Sequence, residues 1–257
     1  MRGEGAFLAI EVSSRVGSVA LGGGGSIIAS AVLTDASAHA ASLVPAITRV
    51  LADAGMERQD LLGILVGRGP GSFTGVRVGA ATARGLAAAL RIPVWALSSL
   101  AAAAVSHGLP VSRDGTPVAQ AAWGGDPRRP RYILFDARQD RLYAACYRVS
   151  GDSLEAVLEP RATTLGEVLE SDLPDGVTFA GSGAQVHRDR LVGAGFEVLD
   201  EPHGTPSAEG LMRLQAMEPC VLPESRGSRW EPDYLRGSWN APEGGGAQRE
   251  AGAPIAP

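Results

Sequence analysis

Residues 6–33 read Ala6-Phe7-Leu8-Ala9-Ile10-Glu11-Val12, then Arg15-Val16-Gly17-Ser18-Val19-Ala20-Leu21, then Ser26-Ile27-Ile28-Ala29-Ser30-Ala31-Val32-Leu33, with Gly22 to Gly25 as a turn. Each run is short, apolar and rich in β-branched residues, which predicts strands. The Gly-rich joints are too short for a crossover, so the three strands form an antiparallel meander. A Rossmann domain would place a helix after its first strand.

From Ala40 the period changes. Leu43, Val44, Ile47, Val50 and Leu51 share one face of a helix, which Gly55 closes. Leu62 to Val66 is a buried strand, Val76 to Leu90 a second helix, Val94 to Leu97 a strand, and Ser98 to Ser106 an Ala-rich helix with Ser98 as N-cap. Residues 112–131 are Pro-, Gly- and Arg-rich and read as a surface loop at a boundary. The opening pattern then recurs. Arg131 to Asp136 and Leu142 to Val149 are strands across a polar turn; Leu165 to Glu170 is helical. Val177 to Ala180 is a strand ending in Gly181-Ser182-Gly183, followed by helices over Ala184–Ala194 and Ala208–Ala216. The expectation is an α/β protein of two duplicated halves: an N-terminal lobe over 1–108, a boundary loop over 109–131 and a C-terminal lobe over 132–240. Residues 241–257, poor in core-forming side chains, read as a disordered tail.

Composition narrows the function. The chain has 257 residues and a formal net charge of −5, and all 23 basic residues are arginine. With no lysine, Schiff-base chemistry, a Walker-A loop and a kinase strand lysine are excluded. The acidic balance argues against autonomous nucleic-acid binding. No apolar run approaches the roughly 18 residues of a membrane span, and no signal stretch precedes the first strand. Two cysteines, Cys146 and Cys220, make neither a disulfide framework nor a four-ligand zinc site, so the expected location is the reducing cytoplasm.

The sharpest local signal is Gly67-Arg68-Gly69-Pro70-Gly71-Ser72-Phe73-Thr74-Gly75-Val76-Arg77-Val78-Gly79. A glycine loop opening a helix suits an anion, but a P-loop would need a Lys-Ser/Thr pair where Thr74-Gly75-Val76-Arg77 stands, and the competing reading is a tight strand-to-helix joint whose glycines serve packing. Gly75, Gly79 and Ala83 make a small-residue stripe that lets another helix approach to about 8–10 Å, beside an arginine stripe of Arg77, Arg84 and Arg91. His39 has no second histidine at position 43, which is Leu43, and His107, His187 and His203 are isolated, so no zinc site is expected. No Gly-x-Ser-x-Gly elbow surrounds Ser72. Glu11, with Ser13 and Ser14, is a candidate for holding a metal-bound nucleotide or, alternatively, a turn-stabilising carboxylate. Asp136 with Arg138 is its counterpart in the second half, or an internal ion pair.

The Gly67–Gly79 run resembles the signature of the TsaB (YeaZ) family of bacterial tRNA threonylcarbamoyladenosine biosynthesis proteins. Ala9-Ile10-Glu11-Val12-Ser13-Ser14 with Ser18-Val19-Ala20-Leu21, His39 with Leu43-Val44-Pro45, Phe135-Asp136-Ala137-Arg138 with Tyr143, and Glu231-Pro232-Asp233-Tyr234-Leu235-Arg236 extend the likeness over residues 6–236. The resemblance implies a two-lobed, actin-like ATPase (ASKHA) fold with duplicated halves. It implies a non-catalytic subunit that pairs with TsaD, which acts with TsaE and ATP to threonylcarbamoylate adenosine 37 of tRNAs reading codons that begin with A. It assigns His39, Leu43, Ile47, Gly71, Gly75, Val76, Gly79 and Ala83 to the partner interface and leaves Glu11, Ser13, Ser14 and Asp136 as nucleotide candidates. No catalytic or metal-binding residue is expected in this chain, ATP and a metal ion belonging to TsaD; tRNA is met through the complex, and a homodimer through the same helices fits the free chain. Glu11 stands for the family's aspartate and Ala41 for its glutamate. The alternative function is a stand-alone actin-like ATPase or a glycoprotease-like peptidase.

Overall fold

The apolar runs of the opening meander become β1 (Ala6–Glu11), β2 (Gly17–Gly23) and β3 (Ser26–Leu33), paired antiparallel in sequence. A computed structural model describes residues 5–24, 26–35, 39–106, 128–217 and 223–224. The tail expected over 241–257, the motif at 231–236 and most of the 112–131 loop lie outside the described residues.

Helix α1 (His39–Asp53) leads to β4 (Leu61–Gly67), which pairs parallel with β1. Helix α2 (Phe73–Leu90) leads to β5 (Val94–Leu97), parallel to β4, and α3 (Ser99–Val105) follows. The first sheet therefore runs β3-β2-β1-β4-β5. The second half repeats it with β6 (Arg131–Asp136), β7 (Arg141–Ser150), β8 (Ser153–Thr164), β9 (Thr178–Ala180) and β10 (Glu197–Val198), ordered β10-β9-β6-β7-β8. Its helices are α4 (Leu165–Glu170), α5 (Ser182–Val186), α6 (Arg188–Gly193) and α7 (Ala208–Met217). Two mixed sheets with one strand order make a duplicated, two-lobed α/β fold.

Period-2 alternation sorts the side chains. Leu8 and Ile10 on β1, and Val12 just after it, turn to a core shared with Leu43, Ile47 and Val50 of α1 and Ala83 and Ala87 of α2. On β6, Tyr132 and Leu134 join the core beneath α4 to α6, with Tyr132 stacked on Phe179 at 5.2 Å. The opposite faces of both sheets meet a third core built on α3 and α7. All seven residues of α3 are buried. The helices trade sides: α3 packs on β6 and β7, whereas α7 packs on β1, β2 and β4. Gly210 lets α7 close on α3, since a Cβ there would stand 2.4 Å from the Ala102 carbonyl oxygen. Polar ties reinforce the joint: Ser106 Oγ lies 2.8 Å from Ser207 Oγ, the Ala208 N–H donates to Ser18 Oγ, and Arg131 Nη1 donates to the Ala104 carbonyl.

Several elements differ from the sequence reading. β2 begins at Gly17 rather than Arg15, because Ser14 Oγ donates to the Val16 carbonyl and holds a turn there. α2 begins at Phe73 rather than Val76, capped by Ser72 Oγ, which accepts from the Gly75 N–H. The expected helix over 184–194 is two short helices joined at His187, whose N–H donates to the Gly183 carbonyl while its own carbonyl accepts from Arg190 and Leu191. β8 and β10 are strands the sequence pattern did not announce.

Candidate functional site

The Gly67–Gly79 run is the joint between β4 and α2, and its glycines answer to close contacts. Gly69 and Gly71 hold positive φ, 93° and 156°, where a side chain is strained. A Cβ on Gly71 would lie 2.3 Å from the Ser13 carbonyl oxygen, one on Gly75 2.0 Å from that of Val12, and one on Gly79 2.9 Å from Val12 Cγ2. The loop's amides are engaged internally: Gly69 N–H donates to Ser99 Oγ, Ser72 N–H to the Ser13 carbonyl and Val76 N–H to the Ser72 carbonyl.

Glu11 stands at the centre of this joint. It is fully buried; Oε1 accepts from the Ser13 N–H at 2.7 Å and Oε2 from the Ser99 hydroxyl at 2.8 Å. Gly67 is pressed against the carboxylate, where a Cβ would meet Oε2 at 2.0 Å. Burial pushes the Glu11 carboxyl above the usual carboxylate range, and the hydrogen bonds from Ser13 and Ser99 oppose that shift. Ser13 is buried and Ser14 half-buried in the same turn, so three of the four nucleotide candidates come together. Asp136 does not join them: its contacts are in the second half, its N–H donating to Ser182 Oγ and its Oδ1 accepting from the Arg138 N–H. What joins Asp136 and Arg138 is a hydrogen bond from the Arg138 backbone N–H to the Asp136 carboxylate. Among the described residues no group of three or more His, Cys, Asp or Glu side chains could hold a metal ion.

The residues assigned to a partner interface lie mostly inside this chain. His39, Leu43, Ile47, Gly75, Val76, Gly79 and Ala83 are buried in this chain's own core, and Gly71 is half-buried against Ser13. The reason is the parent sheet: the small-residue stripe of α2 lies on β1 and β4, and the apolar stripe of α1 lies on the same core. His39 Nε2 is buried without a hydrogen-bond partner among the described residues, and it sits over Gly17.

What α1 and α2 turn outward is a different set. Val44 is 56% exposed and Phe73 55% exposed. The two helices pack side by side. Arg77 lays its guanidinium over the Phe73 ring, 3.8 Å from the centroid, a cation–π stack at the helix start. Ala81, Arg84, Gly85 and Ala88 continue the exposed face, and a Cβ on Gly85 would meet nothing within 4 Å. Sequence reasoning passed over Val44 because it fits an apolar helical period, and over Phe73 because the helix was expected to begin at Val76. It also passed over Ser99, whose only signal is a second serine beside the N-cap Ser98.

Comparison with known proteins fits this geometry. Residues 27–197 match the model of the family described as TsaD: tRNA N6-adenosine threonylcarbamoyltransferase. The tRNA threonylcarbamoyladenosine biosynthesis protein TsaB of Bacillus subtilis is 31% identical over 189 residues, covering 72% of this chain and 74% of that protein. TsaB of Escherichia coli K12 is 28% identical over 236 residues, covering 90% and 94%. Among solved structures, a Pseudomonas aeruginosa protein with similarity to peptidase YEAZ superposes with a TM-score of 0.69 at 26% identity, covering 90% of this chain and 100% of that one. YeaZ from Pseudomonas aeruginosa gives 0.64 at the same identity, covering 84% and 92%. With curated relatives matched along most of their length and the same two-sheet fold, the chain belongs to the TsaB (YeaZ) family of tRNA threonylcarbamoyladenosine biosynthesis proteins.

Proposed function

We propose that this chain is a non-catalytic subunit that pairs with TsaD and, with TsaE and ATP, supports threonylcarbamoylation of adenosine 37 in tRNAs reading codons that begin with A. The observation that carries the reading is the outward face of α1 and α2, where Val44 and Phe73 lie exposed on neighbouring helices beside the small residues Ala81, Gly85 and Ala88. Exposed apolar side chains on two packed helices suit a helical partner. The interface is therefore moved from the inward stripe to this outward one.

The absence of a catalytic role is supported by the site chemistry. The Glu11 carboxylate is occupied by Ser13 and Ser99, and the loop amides bond within the chain. ATP and its metal ion accordingly belong to TsaD, and tRNA is met through the assembled complex. The same outward helices serve a homodimer when the partner is absent, and the cytoplasm is the place of action. No described helix is long and apolar enough to cross a membrane.

Reconstitution tests the reading. TsaD, TsaE, a threonylcarbamoyl-adenylate source and tRNA should yield modified adenosine only when this chain is added. Undiminished product without it overturns the proposal, as does turnover of ATP or peptide by the chain alone.

A further inference from the structure

The first strand, the start of α3 and the joint that launches α2 converge on one carboxylate. Glu11 accepts from the Ser13 N–H and from the Ser99 hydroxyl. Ser99 Oγ in turn accepts from the Gly69 N–H, and the Ser99 N–H donates to the Gly69 carbonyl. Ser13 passes the connection on from the other side, its carbonyl accepting from the Ser72 N–H at 2.7 Å. Ser72 is the N-cap of α2, and Phe73 is the next residue. Two hydrogen-bonded routes, one through Ser99 and Gly69 and one through Ser13 and Ser72, thus run from Glu11 to both ends of the 69–72 loop. Gly67, at the end of β4, lies against the same carboxylate, where a Cβ would meet Oε2 at 2.0 Å.

We propose that Glu11 is a positioning residue for the docking face: by fixing both ends of the 69–72 loop it sets where α2 begins, and so where Phe73 and Arg77 are presented to the partner. Glu11 touches neither partner nor substrate in this account and acts through Ser13, Ser99 and the loop. The inference rests on the pairing proposed above. It differs from nucleotide holding, in which the carboxylate would face a ligand.

The test uses the full chain with Glu11→Ala, Glu11→Gln and Ser99→Ala, measuring affinity for TsaD, thermal midpoint and amide hydrogen exchange. Removing a buried acceptor or donor leaves its partner unsatisfied, so Glu11→Ala and Ser99→Ala should speed exchange at Gly69, Ser72, Gly75 and Val76 by about tenfold or more. Exchange in β6 and β7 should stay unchanged. Affinity for TsaD should fall by a similar factor, about tenfold. Glu11→Gln, which keeps an oxygen for the Ser13 N–H, should restore most of both. Should Glu11→Ala fail to fold, Ser99→Ala carries the test alone. Unchanged exchange at 69–76 in a folded variant overturns the positioning role, and so does uniform loosening of both sheets. Loosened exchange with native affinity for TsaD overturns the link to docking. Magnesium–ATP binding by the wild-type chain that Glu11→Gln abolishes overturns it in favour of a ligand role. A wild-type chain that ignores TsaD altogether sinks the pairing instead, while the exchange measurement still judges the loop.

Discussion

Gly75 of α2 lies so close to the chain leaving β1 that a methyl group on it would stand 2.0 Å from the Val12 carbonyl oxygen, a backbone atom that cannot swing aside. Ten residues further along the same helix, Gly85 faces open space. These two glycines should respond oppositely to one substitution. Gly75→Ala forces α2 off the sheet and should cost about 1–3 kcal/mol or more. Gly85→Ala should add about 0.5–1 kcal/mol through helix propensity. Urea denaturation of the two variants checks both signs, and destabilisation by Gly85→Ala would mean that this face is covered.

The docking face and the core face of α2 are separable in the same manner. Phe73→Ala and Val44→Asp should weaken association with TsaD by about 1–2 kcal/mol. Each should shift the chain's own stability by no more than about 0.5 kcal/mol, as surface changes do. Gly79→Leu should instead lower stability first, because its side chain would enter the space of Val12 and Val66. Calorimetric affinities beside melting curves distinguish the two classes. Native affinity in both surface variants would place the contact elsewhere.

The buried Glu11 makes a prediction about pH. Its folded carboxyl is raised by burial above its unfolded value, so between those two values the folded chain binds more protons than the unfolded one. The stabilisation from this group is fully present below the unfolded carboxylate range and is lost as pH climbs through the folded value. Wild type measured against Glu11→Gln should therefore be relatively most stable in acid and lose ground as pH rises. An opposite slope would mean that the hydrogen bonds from Ser13 and Ser99 outweigh desolvation.

Cys146, on β7, is buried, and loss of solvent pushes its thiol up to about 12, with Arg148 opposing. In a Cys220→Ser variant the remaining thiol should resist alkylation near pH 8 until denaturant is added, because the thiolate is the reactive form. Rapid labelling of the native variant would show that β7 opens locally.

How much of this was legible beforehand differs by element. The opening meander, α1, β4, β5 and the start of the second half follow from apolar period and turn residues, because those signals are local. β8 carries Glu155, Glu159 and Pro160 in an edge position where one face is wet, so its pattern dissolves. The orientation of α2 was hidden for another reason. Gly75, Gly79 and Ala83 on one side and Ala81, Gly85 and Ala88 on the other are equally small, and only the position of β1 decides which side is inside. Glu11 was visible as a candidate, but its partner Ser99 is 88 residues away, and no spacing rule connects them.

A helix with no face to water constrains how the protein can be divided. Every residue of α3 is enclosed, and α7 from the second half lies against the first sheet. A fragment ending after α3 would leave that helix naked to water and the first sheet without its lid. Expressed alone, such a half should clump rather than stay dispersed.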